Sequence, residues 1–562
     1  CEQITVAGVE YTPSVTSPSG SRMIRTPLTG TRTIAATGAK YTTLGAAIEE
    51  LNYFGVAPGG VTFTLADGET FNESPTIRIT QTGTEDDPIV IRQSGSGTRP
   101  VLSFTGTVFV DTCIKFSQVS NITIDGLQIV DATATNKVEY GIYIHGTGTA
   151  GSQNNIIKNC LIDLDKTNTS TIGVYLYSTA TSESGTNSNN KFYNSTVQDC
   201  YSGYYFNGNS TYYDTGNEIN ILSGGASAIT NLGGSSSAVY GVRLACQQNF
   251  VLSNTTISHL SGAAAIYGVY QGAGSGNSVS FTSNNLNNIS GTSSSSIYGI
   301  YITTGNSASI ANNEIHAMST ATSRVYGVSV SGVATSRFSK NKIHNIHYTG
   351  SNIYIAFGLE YSGGTSGYIF NNLIYDISAP ASYTFTENPG VQAMSVAGSG
   401  DIHLYNNSVL VEYTSTAANH WSSALRVGFV SNLIMNNNIF VNRVDITTGS
   451  KAVVFYHSTD ALNTLSTGNN NNLFYAGTPG DKNLIFYNRS ASYRTLAEFK
   501  AKMGVRESES VTENPPFVSS TDLHIDPATP TQIESGGRRI TSPIAITDDF
   551  EGNIRQGETG YA

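Results

Sequence analysis

YGIYITTGNSASIANNEIH (residues 298–316) and YGVSVSGVATSRFSKNKIH (residues 326–344) are two copies of one unit, 28 residues apart. Each copy opens on an aromatic-Gly-apolar-x-apolar motif and closes on an Asn-x-apolar motif. Inside the motifs apolar and polar residues alternate, which is the period of a β-strand, and clusters of Asn, Gly and Ser separate the motifs. The two copies therefore predict short strands joined by turns, without helices between them.

The unit recurs along most of the 562-residue chain. The motif glycines from Gly241 to Gly358 are 27, 31, 28 and 31 residues apart, and the Asn motif from Leu286 onward advances by 29, 28, 31, 35, 30 and 34. Two motifs that recur in phase indicate one structural unit stacked many times. We predict an all-β right-handed parallel β-helix solenoid, in which the motif asparagines stack at a turn and bond to one another. The predicted stack contains Asn159, Asn217, Asn284, Asn313, Asn341, Asn372, Asn407, Asn437 and Asn471.

An antiparallel sandwich with Asn-rich turns is the alternative fold. Seven asparagines in register between Asn284 and Asn471 disfavour that fold, because a sandwich does not require a fixed period.

Both ends of the repeat region carry a helix pattern. Residues 42–54 place Leu44, Ala47, Ile48 and Leu51 on one face, with threonine before them and Gly55 after them. Residues 495–503 form a second short pattern stopped by Gly504. We expect a leader or linker at 1–35, an N-terminal cap and first coils at 36–110, repeats at 111–480 and a C-terminal cap of short helix and loops at 481–562.

Composition excludes several kinds of protein. Charged residues make up 12% of the chain and the net charge is −11, with no basic patch, so we expect no nucleic-acid partner. No apolar run approaches the roughly 20 residues that span a bilayer. The chain starts at Cys1 without a signal peptide, which suggests a processed or truncated end.

The cysteines form no CxxC pair, so a zinc site is not expected. We expect most of them to be buried small apolar residues, although an odd count leaves at least one thiol without a partner in the chain. The five are Cys1, Cys113, Cys160, Cys200 and Cys246.

Both ends of the chain also carry a family resemblance. Residues 41–56 (YTTLGAAIEELNYFGV) with 59–79 (GGVTFTLADGETFNESPTIRI), and residues 515–525 (PPFVSSTDLHI) with 548–562 (DDFEGNIRQGETGYA), resemble pectate-lyase-like parallel β-helix modules of secreted and surface proteins of Bacteroidetes. The resemblance covers nearly the whole chain, but the motifs that carry it specify the β-helix architecture and not an activity. It implies an extracellular or cell-surface location, further domains in a longer chain, and a group that includes polysaccharide lyases, glycosidases and adhesins.

The residue two after each motif glycine should face solvent, and tyrosine dominates this predicted outward column. Aromatic rings in a row can stack on sugar rings while their phenols hydrogen-bond, although tyrosine also suits exposed strands for purely structural reasons. The predicted ligand-binding residues are Tyr143, Tyr175, Tyr205, Arg243, Tyr270 and Tyr301; the column continues through Ser329, Glu360, Ser395 and Arg426.

A second predicted outward column holds His316, His344 and Tyr375. The candidate catalytic cluster is Glu360 with His344, Lys342 and Arg337, since lyases combine a basic residue with a group that neutralises the substrate's carboxylate. Scattered surface charge is the alternative interpretation. The sequence has no paired-carboxylate signature and no motif typical of polygalacturonases or pectate lyases.

The sequence predicts no cofactor, and calcium is the one alternative. The acidic run at residues 548–551 could hold Ca²⁺ with loop carbonyls, or could form a polar turn.

These observations favour a surface protein that binds a polysaccharide or cell-surface glycan, as an adhesin or structural module, over an enzyme. A polysaccharide lyase or glycosidase is the alternative, and a phage-type tailspike is a third possibility that the helix at residues 42–54 and the tail disfavour.

Overall fold

The computed structural model describes residues 4–6, 9–11, 26–74, 76–132, 136–220, 225–382, 388–447, 449–534 and 536–555. It is an all-β parallel solenoid of about 14 turns, and this confirms the predicted class. Each turn contributes strands to three faces, named A, B and C in the order in which the chain visits them, and nearly all strand pairs are parallel.

Face A carries the aromatic-Gly motif. Its strands are Ile77–Ile79, Thr112–Ser117, Tyr140–Gly148, Ile172–Ala180, Ser202–Asn207, Val239–Ala245, Ile266–Gln271, Ile297–Ile302, Val325–Ser331, Ala356–Ser362, the first halves of Val391–Tyr405 and Trp421–Asn436, Lys451–His457 and Asn483–Tyr487.

Face B follows face A. Its strands are Leu28–Ile34, Val56–Leu65, Ile89–Gln93, Ile122–Asp125, Ile156–Lys158, Lys191–Tyr193, Glu218–Ile219, Phe250–Ser253, Ser278–Thr282, Gly305–Ala311, Val333–Ser339, Ser366–Phe370 and the second halves of Val391–Tyr405 and Trp421–Asn436.

Face C closes each turn. Its strands are Thr70–Glu73, Val101–Phe104, Gln128–Asp131, Leu161–Asp163, Thr196–Gln198, Ser227–Gly233, Thr255–Gly262, Asn285–Gly291, Glu314–Ile315, Met318–Thr320, Lys342–Ile343, Ile346–Tyr348, Leu373–Ile374, Ile377–Ser378, Ser408–Val411, Ile439–Asn442 and Leu473–Tyr475.

The remaining elements lie at the ends and edges. Helices are Leu44–Phe54 and Leu496–Met503, with 3₁₀ turns at Glu183–Gly185 and Leu462–Thr464. Short pairs join Ile4–Val6 to Val9–Tyr11, Asp214–Thr215 to Gln247–Gln248, Thr414–Ser415 to Asp445–Ile446, and Phe517–Ser519 to Asp522–Ile525, while Ser492–Tyr493 pairs with the last strand of face A.

Both helices occupy the segments where the sequence predicts them. Thr43 caps the first helix, its side chain accepting from the Ala46 backbone N–H, and the four apolar residues of the predicted face are buried. The Glu73 carboxylate, 29 residues away, accepts from the Leu44 backbone N–H at 2.6 Å and so fixes the helix start to the first turn of the solenoid. Thr495 and Glu498 form a capping box on the second helix.

The motif glycines are required by close packing between turns. A Cβ on Gly241 would lie 2.4 Å from the carbonyl oxygen of Gly268 and 2.7 Å from Cγ2 of Ile257. The aliphatic residues that flank each glycine, such as Ile300 and Ile302, are fully buried, as the sequence predicts. The glycine column therefore lets face A approach face C across the core.

The predicted asparagine stack is present at the turn between faces B and C. Asn372 Oδ1 accepts from the backbone N–H and the Nδ2 of Asn341, at 3.0 and 2.9 Å, and Asn372 Nδ2 donates to Asn407 Oδ1 at 2.9 Å. The same pattern links each member to the next. The continuous stack of buried amides, named the Asn ladder, is Asn284, Asn313, Asn341, Asn372, Asn407, Asn438 and Asn472.

Four predicted members of the stack were wrong. Asn437 and Asn471 precede the true members by one residue, because runs of consecutive asparagines hide the register. Asn159 likewise lies just before the buried Cys160, and its Nδ2 bonds to Asp125. Asn217 belongs to another stack at the turn between faces A and B, where Asn190 and Gln247 are its neighbours.

A buried glutamate ends the Asn ladder. Asn472 Nδ2 donates to Glu507 Oε2 at 2.9 Å, and the Ser510 hydroxyl donates to the same oxygen at 2.6 Å. Burial raises the pKa of Glu507 to about 7. Nothing in the repeat pattern marks this residue, which lies after the last repeat.

We expect this carboxyl to make stability depend on pH. Its folded-state pKa lies above that of the unfolded chain, so its stabilising contribution is complete below about pH 4.5 and is lost as the pH rises toward and beyond 7. Unfolding in urea at pH 5 and pH 8 should show a loss of up to about 3 kcal/mol, which Glu507→Gln should reduce. The exposed Glu509→Gln is the control, and equal slopes in wild type and Glu507→Gln would refute this role.

The C-terminal segment packs back on the solenoid. Leu523 joins Tyr375, Leu410, Val441 and Leu473 in an apolar cluster on face C. Farther along, Ile540 and Ile546 pack on Phe370 and Tyr405. The segment encloses a cavity of about 730 Å³ against the turn between faces B and C.

The described cysteines fulfil the predicted packing role. Cys113, Cys160, Cys200 and Cys246 are all buried and form no disulfide. Cys1 lies outside the described residues.

Candidate functional site

One outward column runs the length of face A. Strand pairing places its members directly above one another, which confirms the register predicted between Tyr143 and Arg426. The column extends beyond that prediction at both ends, to Arg78 and Lys115 on one side and to Tyr456 and Tyr487 on the other. Sequence reasoning missed Arg78 and Lys115 because their strands lack the aromatic-Gly motif.

A second aromatic column lies beside the first, three residues earlier in each strand. Its members are the aromatic residues of the motif itself, and they stack face to face: Tyr267 and Tyr298 have ring centroids 5.3 Å apart at 7°, and Tyr298 and Tyr326 4.7 Å apart at 9°. Tyr298 also contacts Tyr301 of the first column at 4.2 Å. The motif contains this aromatic residue at Tyr140 and from Tyr240 to Phe357, whereas Ile172 and Ser202 occupy the column between them. The sequence pattern alone did not assign these rings to the outside.

Together the two columns form a surface that we name the aromatic face. Its tyrosines are Tyr140, Tyr143, Tyr175, Tyr205, Tyr240, Tyr267, Tyr270, Tyr298, Tyr301 and Tyr326. Arg243 interrupts the first column and lies over the rings of Tyr205 and Tyr240, at 4.4 and 4.8 Å. A planar guanidinium stacked on aromatic rings keeps the surface continuous and adds hydrogen-bond donors.

The phenols of the aromatic face are neutral hydrogen-bonding groups. Nine of its ten tyrosines are half-buried and Tyr326 is buried. Burial raises the pKa of Tyr175 and of Tyr298 to about 12, and it also raises the pKa of Tyr143, Tyr205 and Tyr267. At neutral pH these hydroxyls both donate and accept hydrogen bonds.

A carboxyl group lies where the tyrosines of the first column give way to serine. The buried Ser329 donates to Glu360 Oε2 at 2.7 Å, and the buried Ser395 follows Glu360 in the column. Burial raises the pKa of Glu360, and the guanidiniums of Arg426 and Arg324 oppose this shift. No second carboxylate of the described residues influences it. Glu360 therefore has the environment of a hydrogen-bonding acid without a partner carboxylate.

The predicted catalytic cluster does not form one site. Glu360 is on face A, Arg337 lies on face B with its guanidinium 4.7 Å from the Phe370 ring centroid, and Lys342 and His344 are on face C. Glu360 follows the other three residues by 16 to 23 positions, which is less than one turn of the solenoid, so it projects from a different face.

The second predicted column does exist on face C. The rings of His316, His344 and Tyr375 stack with successive centroid distances of 4.9 Å. Glu314 bonds to Lys342 Nζ and His344 Nε2, both at 3.1 Å, and burial lowers the pKa of His344. Tyr375 is buried, which ties this column to the apolar cluster beneath the C-terminal segment.

The acidic run at residues 548–551 attaches the C-terminal segment. Asp548 pairs with Lys340 at 2.5 Å, Asp549 accepts from Asn553, and Glu551 bonds to Nε2 of His524 at 2.6 Å. Within the described ranges no group of three His, Cys, Asp or Glu side chains is arranged to hold a metal. A calcium role for the run stays a prediction.

Comparison with known proteins relates the chain to others by fold alone. No family model and no curated protein sequence matches it. Among solved structures it is similar to an alginate lyase from Paenibacillus sp. (17% identity, 55% of this chain and 94% of that one, TM-score 0.38). It is also similar to a GH136 lacto-N-biosidase from Eubacterium ramulus (11%, 67% of each chain, 0.40) and to a mannuronic acid specific family 6 polysaccharide lyase from human gut microbiota (13%, 86% and 91%, 0.37).

Across the described ranges, no helix is both long and apolar enough to cross a membrane.

Proposed function

We propose that face A binds an extended polysaccharide outside the cell, and that the chain acts as a surface-binding or adhesin-type module. The observation that carries the proposal is the aromatic face, where two in-register columns of neutral tyrosines run along the solenoid axis. A tyrosine offers an apolar ring to the faces of a sugar and a hydroxyl to its polar edge.

The shape of this surface favours a linear polymer over a compact ligand. From Tyr143 to Tyr301 the column spans five strand spacings, or about 24 Å at roughly 4.8 Å each. Stacked strands repeat the same groups in the same orientation, which suits a ligand that also repeats. The 730 Å³ cavity lies elsewhere, under the C-terminal segment.

A glycan array with the whole chain tests this proposal, followed by titration of any polysaccharide that binds. We expect binding that grows tighter with oligosaccharide length until the aromatic face is filled. Absence of binding to every glycan, or clear turnover of a polysaccharide without retention, would overturn it.

A polysaccharide-cleaving enzyme is the second candidate, and Glu360 is the observation that favours it. A half-buried carboxyl with a raised pKa, beside a surface suited to sugar rings, has the properties of a general acid. If the chain cleaves a polysaccharide through Glu360, Glu360→Gln should lower kcat by about 100-fold or more. Lys342→Gln on face C is the control and should leave kcat unchanged; retained activity in Glu360→Gln would exclude this carboxyl.

A further inference from the structure

Two cationic residues lie at the start of the first outward column of face A. Arg78 and Lys115 are neighbours in register, and Tyr143 follows them. Lys115 Nζ lies 5.1 Å from the centroid of the Tyr143 ring, and Arg78 Nε donates to Ser117 Oγ at 3.0 Å. His145 stands beside Tyr143 on the same strand, with ring centroids 5.6 Å apart. We name Arg78 and Lys115 the cationic end.

The charges of the cationic end are not neutralised by the described part of the chain. Neither residue forms an ion pair there, whereas Lys158 and Lys191 on face B pair with Asp125 and Glu218. Burial, and then Arg78, lower the pKa of Lys115, and both cations contribute to lowering the pKa of His145. The chain as a whole is acidic, with 40 acidic and 29 basic residues. Two adjacent cations on neighbouring strands, Arg78 exposed and Lys115 half-buried, therefore lack an acidic partner among the described residues of an acidic chain.

We propose that the cationic end binds an anionic substituent, a carboxylate or a sulfate ester, of the polysaccharide that lies on the aromatic face. This inference rests on the proposed function and adds the charge class of the ligand and its position. The guanidinium of Arg78 donates in a planar fork suited to carboxylate or sulfate oxygens, and Lys115 adds a point charge about one strand spacing away. An anion held there is next to Tyr143, so the sugar that carries it lies on the first ring of the aromatic face.

The column has a different chemistry after Tyr301, which is the last tyrosine that the aromatic face takes from it. Ser329, Glu360 and Ser395 follow Tyr301, and Arg426 comes next. The two adjacent cations therefore lie at the Arg78 end of the aromatic face, and hydrogen-bonding hydroxyl and carboxyl groups lie at its other end.

The test measures affinity of the whole chain for three polymers at low salt: polymannuronate, dextran sulfate and unmodified dextran. Arg78→Gln/Lys115→Gln should weaken binding of the carboxylated polymer, the sulfated polymer or both by about 10- to 100-fold, and leave dextran binding unchanged. The polymer whose affinity falls identifies the substituent as a carboxylate or a sulfate ester. Lys115→Arg keeps the charge and should retain binding. The matched control Lys158→Gln/Lys191→Gln makes the same change in net charge on face B and should have no effect.

Separate outcomes would overturn the inference and the proposed function. Equal weakening by both double variants would show a general charge effect and overturn the inference, as would unchanged affinity of Arg78→Gln/Lys115→Gln for anionic polymers. If the wild-type chain bound dextran but neither anionic polymer, that result would also overturn the inference and would leave the proposed function standing. Wild type that binds neither these polymers nor any glycan on the array overturns both.

Discussion

Replacing Tyr270 and Tyr301 together by serine is expected to weaken polysaccharide binding by roughly 30- to 100-fold while the solenoid stays folded. Both rings belong to the first column of the aromatic face, next to Tyr267 and Tyr298. Losing two stacking surfaces should cost about 1–1.5 kcal/mol each, and 1.4 kcal/mol is a factor of ten in affinity. Serine is compatible with this column, which already contains Ser329 and Ser395. Titration calorimetry with the array-selected polysaccharide measures the effect.

The control for this prediction is Tyr368→Ser on face B. Tyr368 is also half-buried and stacks on His403 at 4.9 Å, so its replacement removes a comparable ring contact away from the aromatic face. Binding should be unaffected. If Tyr368→Ser weakened binding as much as the face A double variant, the tyrosines of face A would be serving the fold and not a ligand.

The largest expected loss of stability follows from replacing Asn372 in the Asn ladder by leucine. The Asn372 amide hydrogen-bonds to the backbone N–H of Asn341, the carbonyls of Phe338 and Phe370, and the amides of Asn341 and Asn407. Leucine has the same branching at Cγ but leaves these buried groups unpaired, at about 1–3 kcal/mol for each group that finds no substitute. We expect a loss of at least about 3 kcal/mol.

The measurement is hydrogen exchange combined with urea unfolding, because a long solenoid need not unfold in one step. Protection of the turns around Asn341 and Asn407 should fall first. Asn406→Gly is the control: Asn406 has φ of 53°, which glycine adopts without strain, and its side chain makes no hydrogen bond to the described residues. Equal losses in Asn372→Leu and Asn406→Gly would show that the ladder contributes nothing specific.

The repeat period predicted most of the fold because a solenoid turns sequence spacing directly into position. Residues that occupy the same place in successive repeats lie above one another, so the column from Tyr143 to Arg426 could be predicted without any structure. The predicted position of a ladder residue can be wrong by one residue where several asparagines occur in a row. This happens at Asn437 and Asn471, where only strand pairing selects Asn438 and Asn472.

Proximity between residues on different faces was harder to predict than stacking between residues of the same column. The repeat period does not determine the angle through which the chain turns between one strand and the next. Glu360, Arg337 and Lys342 were therefore grouped although they project from three faces. Groups outside the repeat pattern were missed altogether. Lys115 is in a strand without the motif, and Glu507 lies beyond the last repeat, where burial and not periodicity determines its role.

Oxidative footprinting of the tyrosines, with and without bound polysaccharide, tests the central claim most directly. The half-exposed rings of the aromatic face, from Tyr143 to Tyr301, should be protected from hydroxyl radicals when the polymer binds. Tyr53 on the first helix and Tyr368 on face B should react at unchanged rates. Protection confined to faces B and C or to the C-terminal segment, with face A unchanged, would contradict the account.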